Sequence, residues 1–343
     1  MNRNHRRSFL KQVGGLAAVA AAAPPLADPA MASAPQSPRS APGGASDANR
    51  AYASSRFAID LDGVFGGWLS AVEGGSATAD VVVEKIGPDN IQRKHLGNVK
   101  YEDISLECGA AMSKNFYEWI SQSFNYKHAR RNGAIVTTDA NLREVSRLSF
   151  YDALLTEIGF PACDAASKDA AKMTVKLSTE YTRLTFGPGE RLPAAGPRQK
   201  RWLTSNFKFT IEDMDAPRVT SIESLVVRQV VSEGTVGENR DYSKEPYLEV
   251  PNLVVTFPES HASDFYKWHE DFVIKGNNGQ EQEKSGSLDF LSPDLKESLF
   301  TLSFGHLGIF KLGDDGTGDG SGQQRRLKAE MYCEEIKFDS HIG

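Results

Sequence analysis

Apolar residues alternate with polar ones at Phe57, Ile59 and Leu61, again over Trp68 to Glu73 and Asp80 to Ile86, and at Ile104, Leu106 and Cys108. A period of two marks a half-buried strand. The period then changes. From Lys114 the spacing is three and four, through Phe116, Trp119, Ile120 and Ser123, which predicts one face of a helix capped by Ser113. Trp119, at helical spacing beside Phe116, is expected in the core rather than stacked on a ligand. Leu148-Ser149-Phe150, the run Leu154 to Phe160, and Met173 to Phe186 predict further strands. Between Gly87 and Lys100 the chain reads as a long polar connection, too long for a tight hairpin.

The pattern comes twice. Phe116-Tyr117-Glu118-Trp119 returns as Phe265-Tyr266-Lys267-Trp268, 149 positions on, and the same interval carries Ile104 and Leu106 onto Leu253 and Val255. Ser260 stands where Ser113 stood, and predicts a second cap. Phe207, Phe209 and Ile211 reopen the strand pattern, and Leu302-Ser303-Phe304 repeats Leu148-Ser149-Phe150. Val175-Leu177-Thr179-Tyr181 changes phase toward Leu184 and Phe186, as Leu327-Ala329-Met331-Cys333 does toward Ile336 and Phe338. A phase change at one place in both copies predicts a shared β-bulge. A strand-rich unit with one helix, used twice, predicts a mainly β fold in two domains, residues 56–186 and 203–343. The Gly- and Pro-rich stretch 187–202 would link them.

Composition adds bounds rather than chemistry. The 343 residues leave room for two cores, and 40% hydrophobic with 24% charged residues describes a globular chain. A net charge of −6 gives no general affinity for nucleic acid. Cys108, Cys163 and Cys333 fall in no ligand spacing, and three thiols cannot form a closed disulfide framework, so they are expected as buried or incidental thiols. His95, His128, His261, His269, His306 and His341 show no zinc-type pairing. Asp314 to Gly320 is acidic and glycine-rich without the residue order of a calcium loop, and reads as a mobile acidic loop. No nucleophile elbow or phosphate loop is present. No catalytic, cofactor-binding or metal residue is therefore nominated, and the chain is expected to be no enzyme.

The N-terminus reads as an address. Arg6, Arg7, Phe9, Leu10 and Lys11 resemble a twin-arginine export signal, and the short apolar run from Gly14 to Ala23 after them is too short to span a bilayer. Cleavage after Ala32 fits the small-x-small rule. Residues 1–32 are then the signal, and the Ser-, Pro-, Ala- and Gly-rich residues 33–55 a disordered tether. The export machinery is one expected partner, and the periplasm or the extracellular space the destination.

The succession FAIDLDG, SAVEGG, VVVEKIGPDN, HLGNVKYEDISLECG and NFYEWI resembles the tail tube proteins of contractile phage tails and related injection systems. The residues that carry this are Asp62-Gly63, the strand ending Val72-Glu73-Gly74, Leu96-Gly97, the strand Ile104 to Gly109, and Trp119. The resemblance covers the first copy closely and the second loosely. It implies a β-barrel-like sandwich with a flanking helix, a non-enzymatic structural subunit, and self-association into stacked rings through the loop from Gly87 to Lys100. Two units per chain would let three chains close a pseudo-hexameric ring. The alternative is an exported binding module or enzyme built on the same fold.

Overall fold

A computed structural model of the protein describes residues 56–85, 91–187, 189–194, 202–214, 218–230, 247–316 and 325–342. Arg6, Arg7, Phe9, Leu10, Lys11 and the tether 33–55 lie outside the described residues. The first half runs β1 (Arg56–Leu61), β2 (Val64–Gly74), β3 (Ala77–Lys85), β4 (Gln92–Tyr101), β5 (Ile104–Met112) and α1 (Lys114–Phe124). It continues with β6 (Arg131–Thr138), β7 (Glu144–Phe160), β8 (Cys163–Asp164), β9 (Met173–Ser178) and β10 (Tyr181–Phe186). The order β7-β6-β1-β2-β5-β9 returns to β7, so these six antiparallel strands close a barrel. Alternation explains the lining: Ile59, Leu61, Ile104, Leu106, Cys108, Val175 and Leu177 are all buried.

The second half holds β11 (Phe207–Ile211), β12 (Ser221–Ile222), β13 (Leu225–Val230), β14 (Tyr247–Glu249), β15 (Leu253–Pro258) and α2 (Ser263–His269). Then come β16 (Lys284–Leu291), β17 (Ser298–Asp314) and β18 (Arg326–Ser340). Its sheet runs β11-β16-β17-β18-β15-β12, the order in which β1, β6, β7, β9, β5 and β2 follow one another in the barrel. The closing pair is missing among the described residues. Where β2 returns to β1, β12 instead takes up β8 from the first half, and β13 crosses to pair with β7 of the barrel.

The backbone repeats as the order does. Asp62, Tyr126, Leu142 and Asp152 hold φ of 52°, 57°, 62° and 48°, and Asp213, Gly276, Leu295 and His306 hold 56°, 76°, 59° and 55°. The second of each pair follows the first by 151, 150, 153 and 154 positions. A left-handed φ is uncommon outside glycine, and here it recurs four times at a near-constant interval between the two halves. The ion pair Arg131 to Asp62 (2.9 Å) likewise returns as Lys284 to Asp213 (3.8 Å).

Helix α1 has two buried faces. Ser113 Oγ caps it by accepting from the Phe116 amide, as expected, and Phe116, Trp119, Ile120 and Ser123 are buried together. Tyr117 and Phe124 are buried as well, against the second sheet: Tyr117 lies 5.1 Å from Phe300 and Phe124 6.0 Å from Phe338, between ring centres. Trp202, from the stretch expected to be only a linker, is buried against Phe290 and Phe300. One continuous core thus joins both halves, and residues Ala51–Gly343 form one compact unit.

Several local expectations change. The polar stretch up to Lys100 contains strand β4, because backbone pairing with β3 needs no buried face. Strands β6 and β16 supply the barrel wall and its counterpart, although no strand was expected between the first helix and Leu148 or between the second helix and Leu302. Ser260 lies in a short 3-10 turn, and Ala262, with no side-chain bond, precedes α2, which runs on as a π turn over Glu270–Ile274. Leu106 pairs with Val175 and Val255 with Ala329, so Val175 corresponds to Ala329, two residues from the match made on pattern. The burial phase changes after Cys333, whereas after Thr179 burial simply ends and the chain breaks between β9 and β10; β17 and β18 stay in register at the first of these places, from Gly305 opposite Glu335 to Leu307 opposite Cys333. The register shift falls between Ile309 and Lys311 instead.

Candidate functional site

The feature that stands apart from the core is the β3–β4 hairpin, a two-stranded sheet separate from the barrel. Val81 lies opposite Leu96 and Ala79 opposite Val99, so these side chains share one face. That face is uncovered: Val81 is 59% exposed, Leu96 70% and Val99 60%. The other face carries charge, with Glu84 3.9 Å from His95, and Lys100 reaches Asp80 at 2.5 Å. An apolar face in water is unfavourable by about 25 cal/mol for each Å² left open, and marks a contact surface.

Two glycines set the hairpin's exit from the barrel. Gly74 and Gly75 hold φ of 83° and 78°. A Cβ on Gly74 would fall 2.0 Å from the Asp103 carbonyl oxygen, so no larger residue fits without moving the backbone. The root is fixed by aromatic rings. Tyr151 and Tyr181 stack at 4.3 Å, Tyr101 stands edge-on to Tyr181 at 6.5 Å, and the Thr182 hydroxyl donates to the Gly75 carbonyl at 2.8 Å. Tyr181 opens β10, which pairs with β7 and with no other strand among the described residues. Leu184 and Phe186 on β10 are 52% and 78% exposed. Hairpin and edge strand therefore offer apolar side chains and open backbone groups side by side.

The sequence candidates distribute as follows. Cys108, Cys163 and Cys333 are buried and free, as expected, and burial pushes each thiol up to about 12. Such thiols are neither nucleophiles nor ready metal ligands. His128 bonds Gln229 at 2.8 Å, His341 bonds Thr301 at 3.0 Å, and His306 bonds Glu283 at 2.8 Å. Asp314 is held by Arg325 at 2.9 Å, while residues 317–320 of the acidic loop lie outside the described residues. Among the described residues no helix is long and apolar enough to cross a membrane. The hairpin face was legible only in part: Val81, Val82 and Val83 were read as a strand, but nothing in the polar run after them marks β4.

The family comparison falls on the barrel. Residues 53–183 match the sequence model of the T4-like virus tail tube protein gp19 family, so the stretch that resembles tail tube proteins by motif is the stretch that matches. Among solved structures, the anti-feeding prophage tube terminating cap is similar at 20% identity and a TM-score of 0.33, over 38% of this chain and 89% of that one. The sheath–tube complex of an extracellular contractile injection system, PVC, is similar at 19% and 0.33, over 38% and 89%. Hcp1 from Flavobacterium johnsoniae is similar at 16% and 0.26, over 40% and 95%. No curated protein matches the chain.

Proposed function

We propose that this chain is a tail-tube-like structural subunit that self-associates into rings or tubes after export by the twin-arginine route. The observation that carries the reading is the coincidence of two things on one segment. Residues 53–183 match the tail tube family, and the barrel they form holds out a hairpin with an uncovered apolar face. A second copy is the occupant that fits, since open strand edges of β3–β4 and β10 pair most simply with strands of their own kind.

The repeated strand order and the four recurring left-handed positions support two copies of one unit per chain, over residues 56–186 and 203–343. Three chains then close a six-unit ring. The Arg6-Arg7 pair supports export, with residues 1–32 removed. One pair of preparations tests both parts. Protein lacking residues 1–32 should show rings or tubes in electron micrographs, and full-length protein with Arg6→Lys and Arg7→Lys should stay in the cytoplasm with its leader attached. A monomer at millimolar concentration overturns the assembly reading. Normal export of the lysine variant overturns the address.

A further inference from the structure

The two halves differ in charge at one corresponding place. In the first half Arg130 precedes β6, Asp152 sits at the left-handed position of β7, and Glu180 lies between β9 and β10. Arg130 Nη1 meets Glu180 Oε1 at 2.8 Å, so a guanidinium faces the carboxylate. In the second half Glu283 precedes β16, His306 holds the left-handed position of β17, and Glu334 lies in β18. The strand pairings fix these correspondences: Gly133 lies opposite Phe150 as Gly286 lies opposite Phe304, and Leu155 opposite Leu177 as Ile309 lies opposite Met331. The arginine has been replaced by a carboxylate. Two carboxylates and an imidazole converge where one half of the molecule keeps a cation.

We propose that Glu283, His306 and Glu334 bind a divalent metal ion of the zinc type. One oxygen of each carboxylate and one ring nitrogen of His306 lie within 4.8 Å of one another. Zinc takes imidazole nitrogen and carboxylate oxygen at about 2.0–2.2 Å in a tetrahedron, with water as the fourth ligand. His306 Nδ1 already meets Glu283 Oε2 at 2.8 Å, where the ion would take the place of the shared proton, and Glu334 is exposed. Among the described residues, neither Glu283 nor Glu334 pairs with a lysine or arginine. The Glu283 side chain is 8% exposed, and its second oxygen accepts from the Tyr332 hydroxyl at 2.6 Å. That outer bond aims the carboxylate as outer bonds commonly aim metal ligands. The ion would tie the residue before β16 to β17 and β18, as the Arg130 to Glu180 pair ties the corresponding strands. No ligand spacing reveals this in sequence, because the three residues stand 23 and 28 positions apart and meet only through the sheet.

The test is zinc chloride titrated into protein lacking residues 1–32, followed by calorimetry and by thermal melting. One equivalent should bind per chain and raise Tm. His306→Ala and Glu334→Gln, both at the exposed side of the site, should each abolish the Tm rise while keeping the native circular dichroism. Tyr332→Phe should weaken binding about tenfold, by loosening Glu283. Glu283→Arg rebuilds the first-half arrangement and should remove zinc binding while the fold stays intact. No binding at millimolar zinc, or binding that survives all four substitutions, overturns the proposal.

Discussion

Leu142 and Leu295 are aliphatic residues held at φ of 62° and 59°, a backbone conformation their side chains disfavour. The turns around them impose it. The Asp139 carboxylate accepts from the Asn141 and Arg143 amides at 2.8 Å each. Asp294 accepts from the Ser292 hydroxyl and from the Lys296 amide at 3.4 Å, so each long strand, β7 and β17, is launched from a carboxylate-locked turn. The lock titrates. The Arg143 amide first, then the Asn141 groups, hold the Asp139 carboxyl below its ordinary value, and the Ser292 hydroxyl does the same for Asp294. A depressed carboxylate stabilises fully above about pH 4 and loses its effect as pH falls through the lower folded value. Asp139→Asn should therefore lower Tm at pH 7, with the difference shrinking as pH falls below the ordinary carboxylate range. A difference that stays constant with pH would mean that the charge does not act here. The launching turns were readable, since Asn141-Leu142-Arg143-Glu144 and Asp294-Leu295-Lys296-Glu297 share a pattern. Apolar periodicity does not reveal them, because turns have none.

At the scale of the element, α1 shows what periodicity reveals and what it hides. The face carrying Phe116, Trp119 and Ile120 was legible because a single buried stripe has a period near 3.6. Tyr117 and Phe124 were not, since a helix covered on two sides loses the clean contrast between stripe and solvent. The two tryptophans, matched in sequence, also differ in their bonding. Trp119 Nε1 donates to the Ala129 carbonyl at 2.7 Å, whereas Trp268 Nε1 is buried without a hydrogen-bond partner among the described residues. Stripping the half-buried Ala129 carbonyl of its donor costs up to about 1–3 kcal/mol, and losing an unpaired donor costs nothing of that kind. Trp119→Phe should thus destabilise by about 1–3 kcal/mol more than Trp268→Phe, measured by denaturant unfolding. Equal losses would show that the Ala129 bond adds nothing. Strand exchange was hidden for a related reason. β8 and β12 are two residues each, too short for any alternation, yet they carry the second sheet to its edge.

For the whole molecule, the question is whether the two halves behave as two bodies. Units with separate cores would melt separately, and the pattern of the sequence alone favours that. The packing argues otherwise. β13 of the second half covers the edge of β7, β8 of the first half extends the second sheet, and Phe160, Phe290, Phe300 and Phe338 meet rings from both halves. Breaking the halves apart would expose Tyr117, Phe124 and Trp202 together and leave two strand edges open. Such a surface is more apolar than the interfaces across which domains move freely. Calorimetry on residues 51–343 should therefore give one transition, with calorimetric and van't Hoff enthalpies equal within error. Residues 56–186 expressed alone should melt well below the full chain or associate, because they lack β13 and the second-sheet rings over α1. Two resolved transitions, or a fragment as stable as the whole, would instead return the molecule to two independent domains on a tether, and any ring it builds would then have flexible joints within each chain.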